Sequence, residues 1–324
     1  MNPRLTICIC TYNRYNLIDD AIRSILKQNA DENQYKVLVI DNSPDHVHAA
    51  EFGANYSSYP IVDYRIEYKV GLSNARNVGI NQCGTELIAF LDDDAVASLD
   101  WVNNLLLAFD TFGPSVAVVG GCVEPLWEIP RPTWLADGLL GYVTVVDWGG
   151  EMRYAKPNEW FAGANIAFRT SVAMAMGGFN ENLGRMGEAN SLLSNEESEL
   201  TNRILKTGHS AVYAPKASVK HWVGKNRLNQ SWFRKRVAWQ AVSDCLAYPS
   251  QTRIKTEQAR GWLNKNFARL PKNKQGIPSL EAYTDSPLLF SLQLEAINFN
   301  MLLQLSGYIS NDAHYINTIN QTSY

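Results

Sequence analysis

The stretch Leu87-Ile-Ala-Phe-Leu-Asp-Asp-Asp-Ala95 constrains the rest of this chain more than any other. An apolar run of strand length stops at Asp92, Asp93 and Asp94, the pattern of a buried parallel strand emerging into solvent. Three adjacent carboxylates repel one another and raise one another's pKa values unless a cation or a set of donors holds them. Such oxygen ligands suit Mg²⁺ or Mn²⁺, bound by one or two carboxylates with water and phosphate oxygens completing the shell. The triplet therefore reads either as a metal-diphosphate site or as a solvated acidic turn capping the next helix.

The preceding residues supply the context. Leu5 to Cys10 reads as a first buried strand and Thr11-Tyr12-Asn13-Arg14 as a polar turn. A helix follows from about Tyr15 to Gln28, with Ile18, Ala21, Ile22, Ile25 and Leu26 on one stripe. Tyr35 to Ile40 is a second apolar strand, and it too ends in an acid, Asp41. Strand, helix and strand joined by short loops make a right-handed unit of a parallel sheet. Ligands bind such sheets beyond the carboxyl ends of the strands, where Thr11, Asp41 and Asp92 to Asp94 converge. Val62 to Tyr68 continues the pattern, and Ser73 or Asn74 is placed to cap a helix whose Arg76 faces the same edge. Beside three acids, the planar fork of Arg76 reads as a nucleotide-binding or bracing group.

A chain of 324 residues holds one large domain or two ordinary ones. Its hydrophobic share of 46%, charged share of 19% and net charge of −3 exclude a disordered chain and a dedicated nucleic-acid binder. The five scattered cysteines fit a reducing cytosol. Leu5 to Cys10 is too short an apolar run for a signal peptide, so a cytoplasmic protein is expected, at most on the inner face of the plasma membrane. The nearest approach to a membrane span, Leu288 to Leu305, is interrupted by Gln293, Glu295, Asn298, Asn300 and Gln304 and reads as a soluble helix. The sequons at Asn55, Asn229 and Asn320 are then chance matches.

Four motifs carry a resemblance: Ile9-Cys10-Thr11-Tyr12-Asn13-Arg14, Val39-Ile40-Asp41-Asn42-Ser43, Gly71-x-x-x-Ala75-Arg76-Asn77-x-Gly79 and Phe90-Leu91-Asp92-Asp93-Asp94. In order and spacing they resemble the family 2 glycosyltransferases. The resemblance implies a GT-A-type, Rossmann-like mixed and mainly parallel sheet flanked by helices, and a nucleotide-diphospho-sugar donor, UDP-sugar as first choice. It implies nucleotide binding by Thr11, Asn13, Arg14, Asp41, Arg76, Asp92 and Asp93, and Mn²⁺ or Mg²⁺ on Asp94 and Asp92. A histidine after the last strand pair completes the metal site in similar enzymes, and His221 stands there.

Trp101 to Phe112 reads as a helix and Val116 to Val119 as a strand ending at Gly120-Gly121. Between Glu124 and Trp148 prolines forbid a regular helix. Nearby Trp127, Trp134, Trp148 and Trp160 either stack on sugar rings or plug the sheet. Trp160 to Arg169 resembles the family's Gly-x-Asn segment beneath the donor sugar and acceptor, which puts Trp160, Gly163, Ala164, Asn165 and Glu196 at the sugar subsite. Gly163 and Ala164 are small enough to let a ligand approach the backbone. In Asn195-Glu196-Glu197-Ser198-Glu199, acids favour the first turn of a helix. Family members commonly carry Glu-Asp here, with the second acid as catalytic base. This chain has Glu197 at that position, one methylene longer, and Glu196 is the fallback.

Past about Lys225 the resemblance ends. Residues 1–225 are read as the catalytic domain and 226–324 as a helical extension. Ser231 to Tyr248 mixes basic and aromatic residues, which suits packing better than a membrane surface or a lipid-diphosphate acceptor. Residues 249–286 are polar, 287–309 form another amphipathic helix, and the tail leaves a homodimer open. The reaction implied is inverting transfer to a hydroxyl acceptor, a glycan or glycolipid of a bacterial surface-polysaccharide pathway. The alternatives are an inactive sugar-nucleotide-binding or scaffold protein and a sugar nucleotidyltransferase. The latter calls for a Gly-rich loop that Thr11 to Arg14 does not provide.

Overall fold

The structure, a computed structural model, describes residues 3–187, 191–249 and 281–308, with scattered positions between 252 and 272. The first strands and helices alternate: β1 (Leu5–Thr11), α1 (Tyr15–Leu26), β2 (Tyr35–Asp41), α2 (His46–Ala54), β3 (Val62–Ile66), α3 (Leu72–Gln82) and β4 (Leu87–Asp92). There follow β5 (Ala95–Ala97), α4 (Trp101–Phe112), β6 (Val116–Trp127), β7 (Arg153–Tyr154), β8 (Asn165–Arg169), α5 (Thr170–Ala175), α6 (Glu196–Lys206) and β9 (Ser210–Val223). The last described helices are α7 (Gln230–Ala247) and α8 (Pro287–Tyr308).

The sheet runs β3-β2-β1-β4-β8-β6-β9-β5, with β7 beside β9. β1 is parallel to β2 and β4, and β2 to β3, whereas β8 joins β4 and β6 antiparallel. Register places Thr11 opposite Asp41 and Cys10 opposite Asp92, so these strands end at nearly one level. Side chains alternate between the two faces of a strand. Leu5, Ile7 and Ile9 accordingly pack with Ile18, Ile22 and Ile25 of α1 and Trp101, Leu105 and Phe109 of α4. Cys8 and Cys10 pack with Ala75 and Ile80 of α3 and Leu200 and Ile204 of α6.

Three local expectations change. β6 does not stop at Gly120-Gly121 but runs on to Trp127. A Cβ on Gly120 would lie 2.1 Å from the Phe161 ring and one on Gly121 1.8 Å from the Ala217 carbonyl, so these glycines permit close packing and do not end the strand. The two short strands expected before His221 are one strand, Ser210–Val223, which includes Pro215. α3 starts after Gly71, whose φ of 135° suits glycine, while Ser73 and Asn74 lie inside the helix and donate to Leu183 O (2.7 Å) and Lys69 O (2.8 Å).

The described chain divides into two compact units, one of Met1–Leu126, Thr144–Gly187 and Glu196–Trp222, the other of Trp127–Val143, Glu188–Asn195 and Val223–Tyr324. In the second, Trp134 plugs an aromatic cluster, 5.4 Å from Phe233 of α7 and 4.9 Å from Phe290 of α8 between ring centroids. Arg234 donates to the Ala282 carbonyl and to Gln293 and lies over the Phe290 ring, so this basic residue of α7 serves packing. By length and composition α8 is long and apolar enough to cross a membrane, despite its interrupting polar residues. In this unit its Phe290, Leu294 and Leu305 are buried. Most of 249–280 and Asn320 lie outside the described residues.

Candidate active site

The acidic triplet divides by direction. Asp92 closes β4, and Asp94 precedes β5, whose pairing with β9 sets Ala95 opposite His221. The Trp222 amide donates to the Asp94 carbonyl at 2.8 Å, and His221 Nε2 lies 3.2 Å from Asp94 Oδ1. Asp92, Asp94 and His221 each offer one ligand atom, all within 4.8 Å of one another. Two carboxylates and an imidazole fit Mn²⁺ or Mg²⁺ chemistry. His221 is buried, and its Nδ1 has no hydrogen-bond partner among the described residues.

Asp93 turns the other way. It accepts from Thr11 Oγ1 at 2.8 Å and from Arg14 Nη1 at 2.7 Å, while Arg14 Nη2 reaches Asp94 Oδ2 at 2.6 Å. Burial, opposed by Arg14 and reinforced by Asp94, pushes the Asp93 carboxyl up to about 7. Arginine and threonine donors thus supply part of what three crowded acids require.

Asp41 is fully buried and accepts from Tyr15 OH (3.0 Å), Tyr64 OH (2.6 Å), Ser43 N (3.0 Å) and Ser43 Oγ (2.5 Å). Four donors fill a carboxylate's capacity, so here Asp41 holds the turn after β2. Asn13, exposed and at a left-handed φ of 55°, donates its backbone N–H to Ser43 Oγ at 2.8 Å. Tyr15 and Tyr64 are partners that sequence reasoning missed. Tyr15 directly follows the Thr-Tyr-Asn-Arg motif, but Tyr64 carries no local signal because only sheet register brings it to Asp41.

Arg76 lies at the centre, 2% exposed, with Nη2 3.0 Å from Asp92 Oδ1 and Nη1 2.8 Å from Glu196 Oε1. Its guanidinium lies over the rings of Phe90 (5.8 Å) and Phe179 (5.4 Å). A Cβ on Gly163 would stand 2.2 Å from Arg76 Nη2, so the space that glycine leaves is taken by this arginine, where the sequence suggested a ligand. The Gly163 amide in turn donates to Glu197 Oε1 at 3.2 Å. Glu197 Oε2 is buried without a hydrogen-bond partner among the described residues. Burial, reinforced by Glu196 and opposed by Arg76, pushes the Glu197 carboxyl up to about 8.

The remaining sugar-subsite expectations separate. Trp160 is half-buried and its carbonyl accepts from Trp148 Nε1 at 2.9 Å. Ala164 and Asn165 are fully buried. Asn165 donates to Cys122 O (2.9 Å) and Ala217 O (2.7 Å) and accepts from Trp101 Nε1 (2.8 Å). It joins β6, β9 and α4, with both amide hydrogens donated and the amide oxygen accepting from the indole.

The glycosyl transferase family 2 profile matches residues 6–153. The chain is 27% identical over 248 residues to the glucosyl-dolichyl phosphate glucuronosyltransferase of Haloferax volcanii, covering 74% of this chain and 76% of that protein. It is 28% identical over 240 residues to the succinoglycan biosynthesis protein ExoM of Rhizobium meliloti, covering 72% and 71%. Among solved structures, the mannosyltransferase PcManGT from Pyrobaculum calidifontis, in complex with GDP-Man and Mn²⁺, superposes with a TM-score of 0.55 at 18% identity, covering 98% of this chain and 79% of that one. Residues 1–349 of S. aureus TarS, in complex with UDP, give 0.53 at 15% identity, covering 96% and 93%. At such identities the structural likeness speaks for the fold, which is GT-A; residues 6–153 match the family 2 glycosyltransferase profile, and with the relatives this marks the chain as a nucleotide-sugar-dependent glycosyltransferase similar to that family.

Proposed function

We propose that the chain catalyses metal-dependent, inverting transfer of a sugar from a nucleotide-diphosphate donor, UDP-sugar as first choice, to a hydroxyl of a glycan or glycolipid. The observation that carries the reading is Glu197, whose Oε1 is fixed by the Gly163 amide while its buried Oε2 is left without a partner among the described residues, on the same Arg76 network that reaches the metal-ligand set through Asp92. Glu197 takes the proton from the acceptor hydroxyl as that oxygen attacks the anomeric carbon opposite the leaving diphosphate. Glu196 is engaged by Arg76 and so is the weaker base. Inversion follows from one in-line displacement, with no carboxylate nucleophile needed.

Asp92, Asp94 and His221 are the residues that would hold the metal. When bound there, Mn²⁺ or Mg²⁺ supplies positive charge against the charge developing on the diphosphate. The nucleotide is assigned to the ends of β1 and β2, with Thr11, Asn13, Arg14 and the turn held by Asp41 as its walls. The donor sugar and acceptor are assigned to the side of Trp160, Gly163 and Glu197. A glycolipid acceptor and a polysaccharide pathway draw support from two relatives, a glucosyl-dolichyl phosphate glucuronosyltransferase of Haloferax and a succinoglycan biosynthesis protein of Rhizobium.

The test is calorimetric titration with UDP, GDP and dTDP, with and without Mn²⁺, on the wild type and Asp94→Asn. Tight binding of one nucleotide that depends on Mn²⁺ and weakens in the variant identifies the donor class. Binding indifferent to both metal and mutation returns the acidic triplet to a solvated turn. A protein that binds a donor and acceptor but never turns over is the inactive binding protein instead.

A further inference from the structure

The Arg76 guanidinium has no surface to give a nucleotide. It is 2% exposed, its two terminal nitrogens bond Asp92 and Glu196, and Phe90 and Phe179 lie against it. Its remaining side is closed by the Gly163 backbone, where a Cβ would stand 2.2 Å from Nη2. Glycine is therefore required at 163 for the arginine to sit there, and the same glycine's amide bonds Glu197. One planar fork thus meets a donor-side carboxylate, the neighbour of the base and the backbone that aims the base. A lysine, a point charge, cannot bridge Asp92 and Glu196 in this way.

Two adjacent glutamates with nearly identical surroundings would share a proton, and either would act as a poor, ill-aimed base. The pair in α6 is not symmetric: Glu196 Oε1 is bound by Arg76 at 2.8 Å, whereas Glu197 is bound by a neutral amide. We infer that Arg76 is a positioning residue for the base: it holds Glu196 aside, packs against the Gly163 backbone that aims Glu197, and ties that arrangement to Asp92 at the donor side. The inference rests on the assignment of Glu197 as base. The charged and titratable groups around Glu197 are Glu196 on its own helix, Arg76 on α3 and, acting through Arg76, Asp92 at the end of β4 and Cys10 on β1. From the loop before β8 it receives the Gly163 amide. Burial and Glu196 raise the Glu197 carboxyl, and Arg76 lowers it.

The test is a pH titration, by carbon-13 NMR, of the full-length metal-free protein labelled at the glutamate side-chain carboxyl carbon, with Glu197→Gln identifying the resonance. In the wild type that resonance titrates far above an ordinary glutamate. Arg76→Met moves its midpoint further up by about one pH unit or more, the effect of losing a nearby opposite charge. Glu196→Gln, which keeps the arginine, moves it down. Arg76→Met with Glu196→Gln removes one charge of each sign and returns the midpoint toward the wild-type value.

Hydrolysis of the bound nucleotide-sugar, followed across the same pH range, gives a limb that moves with the NMR midpoint and a greater loss in kcat than in KM. If Arg76→Met fails to fold by circular dichroism, Glu196→Gln alone decides. An unmoved midpoint in that variant, or a uniform loss of rate at every pH in Arg76→Met, overturns the positioning role. Full turnover in Glu197→Gln overturns the base itself, so the two failures are told apart.

Discussion

His221 Nε2 and Asp94 Oδ1 stand 3.2 Å apart, although His221 lies near the end of β9 and Asp94 in the turn between β4 and β5, far earlier in the chain. The pairing of β5 with β9 brings them together, and Asp92 completes the set within 4.8 Å. His221→Ala is expected to weaken Mn²⁺ binding by at least about tenfold, a loss that removal of a ligand's supporting partner alone can reach. Electron paramagnetic resonance titration of free Mn²⁺ checks it, and equal affinity in both proteins removes His221 from the site.

Glu197→Gln is expected to lower transfer by about 10²- to 10⁴-fold, the range for a positioned general base, while donor binding stays as in the wild type. Glu197→Asp shortens the reach by one methylene and is expected to cost on the order of 10²-fold. In the wild type the base must be ionised, so the rate climbs with pH and levels off above about 8. Steady-state kinetics across that range, with donor affinity measured separately, decide the matter.

The same carboxyl ties stability to pH. Native Glu197 keeps its proton up to about pH 8, whereas in the unfolded chain it ionises above about 4.5. Over that window the native state binds more protons, so the contribution of this group to stability is full below about 4.5 and declines as pH rises toward 8. Urea denaturation in steps across this window should show a slope that Glu197→Gln removes. An identical slope in the variant would mean that the native carboxyl is not raised.

Gly163→Ala drives a methyl group into the Arg76 guanidinium, which stands 2.2 Å from the Cβ position. Arg76 is gripped on both sides and has little room to yield. The expected cost is about 1–3 kcal/mol of stability together with a large loss of turnover. Thermal melting and kinetics on one preparation test it, and an unchanged melting temperature would mean that the arginine relocates freely.

Asn165→Ala leaves the Cys122 and Ala217 carbonyls and the Trp101 indole without their partner. A loss of about 1–3 kcal/mol for each group left buried and unsatisfied is expected, with nucleotide binding intact in the folded fraction. A variant as stable as the wild type but with weakened donor binding would put Asn165 at the sugar subsite.

Much of the site was legible because it is built from strand ends. An apolar run that stops at Asp41 or at Asp92 announces both a buried strand and the polar crevice at its end, and β1, β2 and β4 lie where those runs were read. The Glu196-Glu197 pair was legible as a helix start. Gly120-Gly121 was misread as a strand end because a glycine pair looks like a turn until the Phe161 ring and the β9 backbone are seen to need the space. The partners of Asn165 were not legible, because a motif tells where a residue lies in the chain and not which way its amide turns.

By itself, then, the sequence determined the parallel half of the sheet, the level at which its strands end and the kinds of groups gathered there. These depend on local periodicity and on short connections. Only the tertiary structure decided which acids face one another: Asp93 toward Thr11 and Arg14, Asp94 toward His221, and Glu196 and Asp92 onto one arginine. Those pairings join residues from 16 to more than a hundred positions apart, and a buried charge takes whichever partner the packing delivers, so no local pattern encodes the choice.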